Sequence, residues 1–369
     1  MRIGFDASRL SVSQRTGTEH YTWELLRALG AIDRHNRYLL YTNGRPAALP
    51  PLPSNYSVRP IPFPRLWTHL RLSAEMLLHP PDVLFVPAHV LPLWSPQRAV
   101  VTIHDLGYLH YPEAHPPAQQ LYLRLSTLWN ARRATHILAV SEATRRDIVR
   151  YCGVPESKIS VVYHGVGERF RPVADPRCLQ QVLDRYGIRP PYLLYVGTIQ
   201  PRKNLERLIE AFARFLARQG AVAPDLVIAG KRGWMTETIE RRAQELGIAD
   251  RVHFVGYVAD ADLPALVGGA LAYLLPSLYE GFGMPVLEAQ ACGTPVLASA
   301  VSSLPEVAGD AALLVDPLDV DAIAAGIEQL VEDPALRSRL RDRGLQHVAG
   351  WTWERTARET LAVIEAVAR

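Results

Sequence analysis

The chain has 369 residues, 48% of them hydrophobic and 21% charged, a globular balance sized for two domains of roughly 150–200 residues each. Its net charge of +3 hides an imbalance, because residues 1–174 hold 20 Lys and Arg against 12 Asp and Glu while the remainder is acidic. No run of 18 apolar residues appears, which excludes a helical membrane span, and no aromatic-interleaved basic motif supports a nucleic-acid reader. The basic half suits something anionic, such as a phosphorylated substrate or an anionic membrane surface. Asp6 falls where a signal peptide needs an apolar run, so a cytoplasmic protein is expected. Cys152, Cys178 and Cys292 fit neither a disulfide framework nor a metal spacing, and read as ordinary buried thiols.

In chain order, Met1–Phe5 reads as a strand and Glu19–Leu29 as a helix, with Tyr21, Leu25, Leu26 and Leu29 at helical spacing. Tyr38–Thr42 is the next strand. The six prolines of Pro50–Pro64 predict an irregular loop. Strands follow at Val83–Val86, Ala99–Ile103, Ile137–Val140 and Ile159–Val162, with helices at 117–132 and 142–151. The stretch 164–178, holding Gly165, Gly167, Pro172 and Pro176, reads as the connection between two halves. The second half repeats the plan with strands at Tyr192–Val196, Asp225–Ala229, Val252–Val255, Ala272–Leu275, Pro295–Ala298 and Ala312–Val315. Helices are expected at 204–218, 236–246, 262–268, 285–291, 304–308 and 319–331, and a last one from about Thr352 headed by Trp351 and Trp353. Short apolar runs alternating with helices predict an α/β chain of two doubly wound parallel sheets. Ligands of such sheets bind beyond the strands' carboxyl ends.

The segment Glu280-Gly-Phe-Gly-Met-Pro-Val-Leu-Glu288 follows one such strand. Gly281 and Gly283 let backbone approach a ligand, and Pro285 suits a first helical turn. Glu288 lies one turn beyond Met284 in an apolar stretch, where a carboxylate needs a partner such as vicinal hydroxyls. Gly197-Thr-Ile-Gln-Pro-Arg-Lys-Asn204 also follows a strand and sets Arg202 beside Lys203, two cations suited to a diphosphate. Thr102-Ile-His-Asp-Leu106 follows a third strand end and carries His104; Asp105 and Ser141 are weaker candidates of the same kind. A histidine beside an aspartate also occurs as a structural pair. Gly230-Lys-Arg-Gly233 and Gly256-Tyr-Val258 are low-specificity strand-to-loop steps.

Taken together, Ser277 to Ala289, Ala291-Cys-Gly-Thr-Pro-Val296 and Ser303-Leu-Pro-Glu-Val307 resemble the signature of the family 4 retaining glycosyltransferases (group 1 glycosyltransferases). The match runs along the whole chain, and Thr102 to Leu106 with Tyr111-Pro-Glu113 is most like bacterial mannosyltransferase members. The resemblance implies GT-B architecture, with two Rossmann-like domains facing a central cleft. It implies an acceptor domain over 1–170, a nucleotide-sugar donor domain over 171–352, and a terminal helix, 353–369, packing back on the first. It also implies a retaining hexosyltransferase working by front-face displacement. Arg202 and Lys203 would stabilise the leaving diphosphate, Glu280 would hold the sugar and Glu288 the ribose. His104 would orient the sugar, and Gly17, Gly197, Gly281, Phe282, Gly283 and Met284 would line the donor. Thr16-Gly-Thr18 carries one glycine where the family more often has two, and His164-Gly-Val166 replaces an asparagine, a change expected to affect the connection between halves. No metal or cofactor is implied, the two cations taking a metal's place. The co-substrate is a nucleotide sugar, GDP-mannose before UDP-hexose, and the acceptor a glycan or lipid-linked hydroxyl. Arg65, Arg71, Arg132, Arg133, Arg145 and Arg146 would face an anionic membrane, although scattered arginines are more often simply solvated. The alternatives are a sugar-nucleotide epimerase and a noncatalytic sugar-nucleotide-binding protein.

Overall fold

A computed structural model describes residues 1–11, 17–46, 48–88, 90–114, 116–219, 223–233 and 236–369. The chain divides into two compact units, Met1–Gly165 with Trp351–Arg369, and Val166–Gly350. The expected breaks after 170 and 352 lie slightly later than these.

In the first unit the strands are β1 (Arg2–Asp6), β2 (Arg37–Thr42), β3 (Tyr56–Pro60), β4 (Val83–Val86), β5 (Ala99–Ile103), β6 (His136–Ala139) and β7 (Ile159–Val161). They form one parallel sheet ordered β3-β2-β1-β4-β5-β6-β7. Its helices are α1 (Gly17–Ile32), α2 (Ser73–Leu78), α3 (Gly107–His110), α4 (Pro117–Arg133) and α5 (Glu142–Cys152). Central strands such as β4 and β5 are buried at every residue, which is why they read as unbroken apolar runs rather than alternating ones.

The second unit holds α6 (Pro176–Tyr186), α7 (Leu205–Gln219), α8 (Glu237–Glu245), α9 (Leu263–Gly268), α10 (Met284–Ala291), α11 (Leu304–Ala308), α12 (Val320–Glu332) and α13 (Pro334–Val348). Its strands are β8 (Tyr192–Val196), β9 (Asp225–Ala229), β10 (Val252–Gly256), β11 (Ala272–Leu275), β12 (Val296–Ser299) and β13 (Ala312–Val315). They are parallel throughout, in the order β10-β9-β8-β11-β12-β13. Strand order reverses between β1 and β4 in one sheet and between β8 and β11 in the other. Both reversals are topological switch points, where open α/β sheets bind ligands. The last helix, α14 (Trp353–Ala368), belongs to the first unit, where it packs on α1 and the central strands. Its Thr356 hydroxyl donates to Tyr163 O at 2.8 Å, and Glu365 accepts from Asn36.

Several expectations need correction. The proline-rich stretch contains β3, an edge strand in register with β2, whose Tyr56 ring stacks on Tyr38 at 4.1 Å. Pro60 ends that strand, where a missing N–H costs no ladder bond. A π-helical turn, Thr68–Leu72, leads into α2, and neither was expected. The stretch 164–178 is not all connection: Asp175 accepts from Arg177 N–H and opens α6 with Pro176 in its first turn. Helix α13 was missed because Gly344 and four arginines obscure any apolar stripe. At Gly344 the helix runs close to α10, where an added Cβ would lie 3.2 Å from Gln290 Cβ. Of the cysteines only Cys292 is buried; Cys152 is half-buried and Cys178 exposed.

Candidate active site

The loops after β8 and β11 flank the second switch point, and they bring three of the expected residues into one group. Pro201–Lys203 forms a single 3-10 turn closed by Asn204 in the left-handed region at φ 61°. The Asn204 amide donates to Pro276 O at 2.9 Å and to Pro317 O at 2.7 Å, while Leu278 N–H donates to Arg202 O at 2.9 Å. These bonds lock the Arg-Lys turn against the loop that carries Glu280. Lys203 Nζ then lies 2.5 Å from Glu280 Oε1, and Arg202 Nη1 lies 3.2 Å from Glu280 Oε2. Arg202 also donates to Tyr279 O, and the buried Ser277 hydroxyl donates to Glu280 Oε1 at 2.7 Å.

All three charges are largely out of water, which makes the group's electrostatics strong. Burial alone would raise the Glu280 carboxyl's pKa. Lys203 and Arg202, with hydrogen bonds from Lys203 and Ser277, outweigh it and hold the value at about 2. The Glu280 backbone is fixed as firmly. Its N–H donates to Ser302 Oγ at 2.9 Å, and Ser303 Oγ donates to Glu280 O and Phe282 O at 2.9 and 2.7 Å. Ser277, Ser302 and Ser303 were not expected as site residues, although Ser277 and Ser303 stand inside the motif that marked the site.

Gly281 and Phe282 are buried in the same loop, and Gly283 precedes α10 at φ 103°. That φ favours glycine, and a Cβ there would also push on Leu304 Cδ2 at 2.6 Å. Met284 opens the helix, and Pro285 takes its first turn as expected. Glu288 is half-buried one turn on. After burial, Glu288 and then Glu280 help to push the Tyr273 phenol well above its ordinary range, which places both carboxylates near that ring. The Gly197 N–H is already donated to Ala229 O at 2.9 Å. Its carbonyl sits where a Gly230 Cβ would be, 1.9 Å away, with Gly230 at φ 144°. Gly197 and Gly230 thus form a close backbone pair.

At the first unit's switch point the chemistry is aromatic. His104, just after β5, donates from Nε2 to Pro87 O at 2.8 Å, at the end of β4. Burial lowers its pKa, so the ring is neutral, and with Nε2 protonated its Nδ1 is left as a hydrogen-bond acceptor. The Tyr21 ring meets His104 edge-on at 4.8 Å and His164 at 4.6 Å, and Trp353 stacks on His164 at 5.8 Å. His164 is therefore a buried neighbour of His104 rather than only part of the connection between halves. Gly165 accounts for this closeness: its Cα lies so near the start of α14 that a Cβ would meet Trp353 N at 2.2 Å. Sequence reading missed this group because Trp353 joins it from the opposite end of the chain.

Other expected residues stand apart. Gly17 is exposed at the first residue of α1, and the neighbouring Thr16 lies outside the described residues. Ser141 caps α5, accepting from Thr144 N–H at 3.0 Å, and Asp105 accepts from Gly107 N–H at 3.0 Å. Both therefore serve local structure. Arg232 pairs with Glu240 and Lys231 lies over the Tyr257 ring. Two Asp-x-Asp pairs exist, and both are engaged elsewhere. Asp262 holds Arg185 and Tyr186, while Asp319 caps α12 and Asp321 pairs with Arg214.

A family model described as Glycosyltransferase Family 4 matches residues 15–169, and one described as Glycosyl transferases group 1 matches 185–347. The chain is 37% identical over 266 residues to O-antigen chain mannosyltransferase B of Escherichia coli, a match covering 72% of this chain and 69% of that one. It is 30% identical over 267 residues to the serotype-specific mannosyltransferase WbdA of the same organism, covering 71% of this chain but only 32% of that longer protein. Among solved structures, sucrose-phosphate synthase from Thermosynechococcus elongatus superposes with a TM-score of 0.78 at 23% identity, over 99% and 98% of the two chains. The chain belongs to the group 1, family 4 glycosyltransferases. Its architecture is GT-B, and the two relatives just described are bacterial mannosyltransferases.

Proposed function

We propose that the protein is a retaining mannosyltransferase that moves a mannosyl group from a nucleoside diphosphate, GDP before UDP, to a hydroxyl of a glycan or lipid-linked acceptor in surface polysaccharide synthesis. The observation that carries this reading is the Arg202–Glu280–Lys203 group at the second switch point. Two cations gathered in a partly dry site favour an anion. An incoming diphosphate competes with Glu280 for those cations, and the displaced carboxylate becomes an acceptor for sugar hydroxyls. Glu288 holds the ribose, and Gly281, Phe282, Gly283 and Met284 line the donor. In the first unit, neutral His104 accepts a sugar hydroxyl at Nδ1 while Pro87 O fixes its ring.

In the reaction the bond between the anomeric carbon and the leaving phosphate oxygen breaks, and a bond from the acceptor oxygen forms on the same face. The acceptor proton passes to the leaving phosphate. Arg202 and Lys203 stabilise the charge that grows on it, so no metal is needed. The mannosyl preference is supported by the mannosyltransferase relatives.

A panel of nucleotide sugars, read by thermal unfolding and by turnover with the product's anomeric configuration assigned by NMR, tests the reading. GDP-mannose at about 100 times its Kd is expected to add about 2.7 kcal/mol of stability. Protection by no nucleoside diphosphate sugar overturns it, and an inverted product or turnover abolished by chelators overturns the mechanism. Release of an altered free sugar without an acceptor would favour the epimerase.

A further inference from the structure

Large exposed hydrophobic side chains are unevenly spread. Among the described residues the second unit exposes Tyr257 and Leu318, whereas the first exposes a cluster between positions 63 and 125. Leu66, Leu70, Trp94, Leu121, Tyr122 and Leu125 are its most informative members, between 47% and 63% exposed. Three contacts join their segments. Tyr122 of α4 meets His69 of the π-helical turn edge-on at 6.3 Å. Trp94 N–H donates to Ser73 Oγ at the start of α2, and Arg133 of α4 donates to Ser95 O at 2.8 Å beside Trp94. The π-turn with α2, the loop around Trp94, and α4 therefore form one continuous face.

Helix α4 is apolar on two sides. Leu123 and Trp129 pack on the first unit's core, while Leu121, Tyr122 and Leu125 project outward. A helix in a globular domain normally turns charged residues to that outer side. The charges that do occur here share one sign. Arg65, Arg124, Arg132 and Arg133 are exposed. Residues 117–133 contain no Asp or Glu, and the single carboxylate of 61–78, Glu75, is buried and pairs with Arg59 at 2.6 Å and Arg71 at 3.2 Å. Leucines and aromatics ringed by arginine, with no exposed carboxylate, match the interface of an anionic bilayer, which offers phosphates above and acyl chains below.

We infer that the face formed by the π-turn with α2, the Trp94 loop and α4 docks on an anionic phospholipid surface. It deepens the reading of a lipid-linked acceptor, and of the arginines expected to face the membrane it keeps Arg65, Arg132 and Arg133 and adds Arg124. Arg145 is held by Glu142 and Glu156, and Arg71 by Glu75, so neither is available.

The full chain is incubated with vesicles of phosphatidylcholine, with or without phosphatidylglycerol, and co-sedimentation is measured. No donor or turnover is involved, so failure here is separable from failure of the transferase reading. Binding is expected with phosphatidylglycerol only, weakening as salt rises. The combined variant Leu121→Ser, Tyr122→Ser, Leu125→Ser is expected to lower partitioning by at least about tenfold. Arg65→Glu with Arg124→Glu is expected to do the same through charge. Tyr257→Ser with Leu318→Ser, on the second unit, should leave it unchanged. Brominated lipid should quench part of the tryptophan fluorescence, and that part should vanish in Trp94→Phe. Unchanged melting temperatures show that the exposed-site variants remain folded. No binding, equal binding to neutral vesicles, or undiminished binding by both surface variants overturns the inference. A concentration-dependent dimer in solution that the leucine variant abolishes also overturns it, by assigning the face to a second copy.

Discussion

At the second sheet's switch point, Arg202, Lys203 and Glu280 meet through ion pairs no longer than 3.2 Å, and serine hydroxyls and backbone amides fix the carboxylate's loop. At the first, Tyr21, His104, His164 and Trp353 meet as rings 4.6 to 5.9 Å apart, and burial lowers the pKa of both histidines. The second unit thus centres on ion pairs and the first on neutral rings, with the Arg9–Glu19 pair at 2.9 Å acting on His104 from beside them. A diphosphate needs compensating cations in a dry site, whereas a sugar hydroxyl needs a fixed lone pair. On the proposed function the ionic group suits a diphosphate and the ring group a sugar hydroxyl, and each can be broken separately.

The largest expected effect is on rate. On the proposed function Arg202→Ala would remove a donor to the growing phosphate charge and is expected to lower kcat by about 100- to 1,000-fold, the range seen when one preorganised donor is deleted. Glu288→Ala is expected instead to raise the donor KM with a smaller change in kcat. Steady-state kinetics on GDP-mannose separates them, and equal kcat in both variants and wild type would remove the ionic half of the comparison.

Stability comes next. Glu280→Ala leaves two largely buried cations without their carboxylate and is expected to cost about 3 kcal/mol, measured by chemical denaturation. Added nucleoside diphosphate should recover part of that loss, because it supplies the missing negative charge. In the wild type, Glu280 titrates at about 2 when folded, below its ordinary 4.5. Its contribution is complete above pH 4.5 and is lost as pH falls from there towards 2, and Glu280→Gln should flatten that acid limb.

The first unit should respond at higher pH. Burial lowers the pKa of His104 and His164 from their ordinary 6.5, so the unfolded chain binds protons that the folded one refuses. Stability contributed by the neutral rings is whole above pH 6.5 and declines as pH falls through it. Hydrogen exchange followed by mass spectrometry should show α1 and α14 losing protection before β8 and β11 do. His164→Phe should reduce the first decline and leave the second in place. If both units lose protection at the same pH in the wild type, the contrast between charged and neutral sites fails.

How much of this was legible follows from where the partners lie. The parallel strands could be read because strands buried on both faces are unbroken apolar runs, and β4, β5, β11 and β12 are all of that kind. Glu280 could be read because its neighbours are contiguous in sequence. Its pairing with Arg202 and Lys203 could not, since Asn204, in a left-handed turn and bonded to Pro276 O, and the Leu278 N–H on Arg202 O bring the two loops together. His164 reads as a connector because Gly165 and Gly167 follow it, and the ring that explains it arrives on α14. The outward leucines of α4 were invisible for a different reason. Periodicity marks an apolar helix, but nothing local says which apolar side the fold leaves uncovered.

The smallest expected effect tests whether strand-end position alone makes a residue functional. Ser141 and Asp105 sit at strand ends much as His104 does, yet their oxygens accept backbone amides at helix starts. Ser141→Ala is expected to cost about 1 kcal/mol, the usual worth of an N-cap, with kcat and the donor KM unchanged. His104→Ala should differ by raising KM for the sugar donor, in addition to the stability lost with its Pro87 O bond and its Tyr21 and His164 ring contacts. If Ser141→Ala instead lowered turnover tenfold at unchanged stability, the hydroxyl would be a ligand, and the first unit's binding surface would extend from β5 to β6.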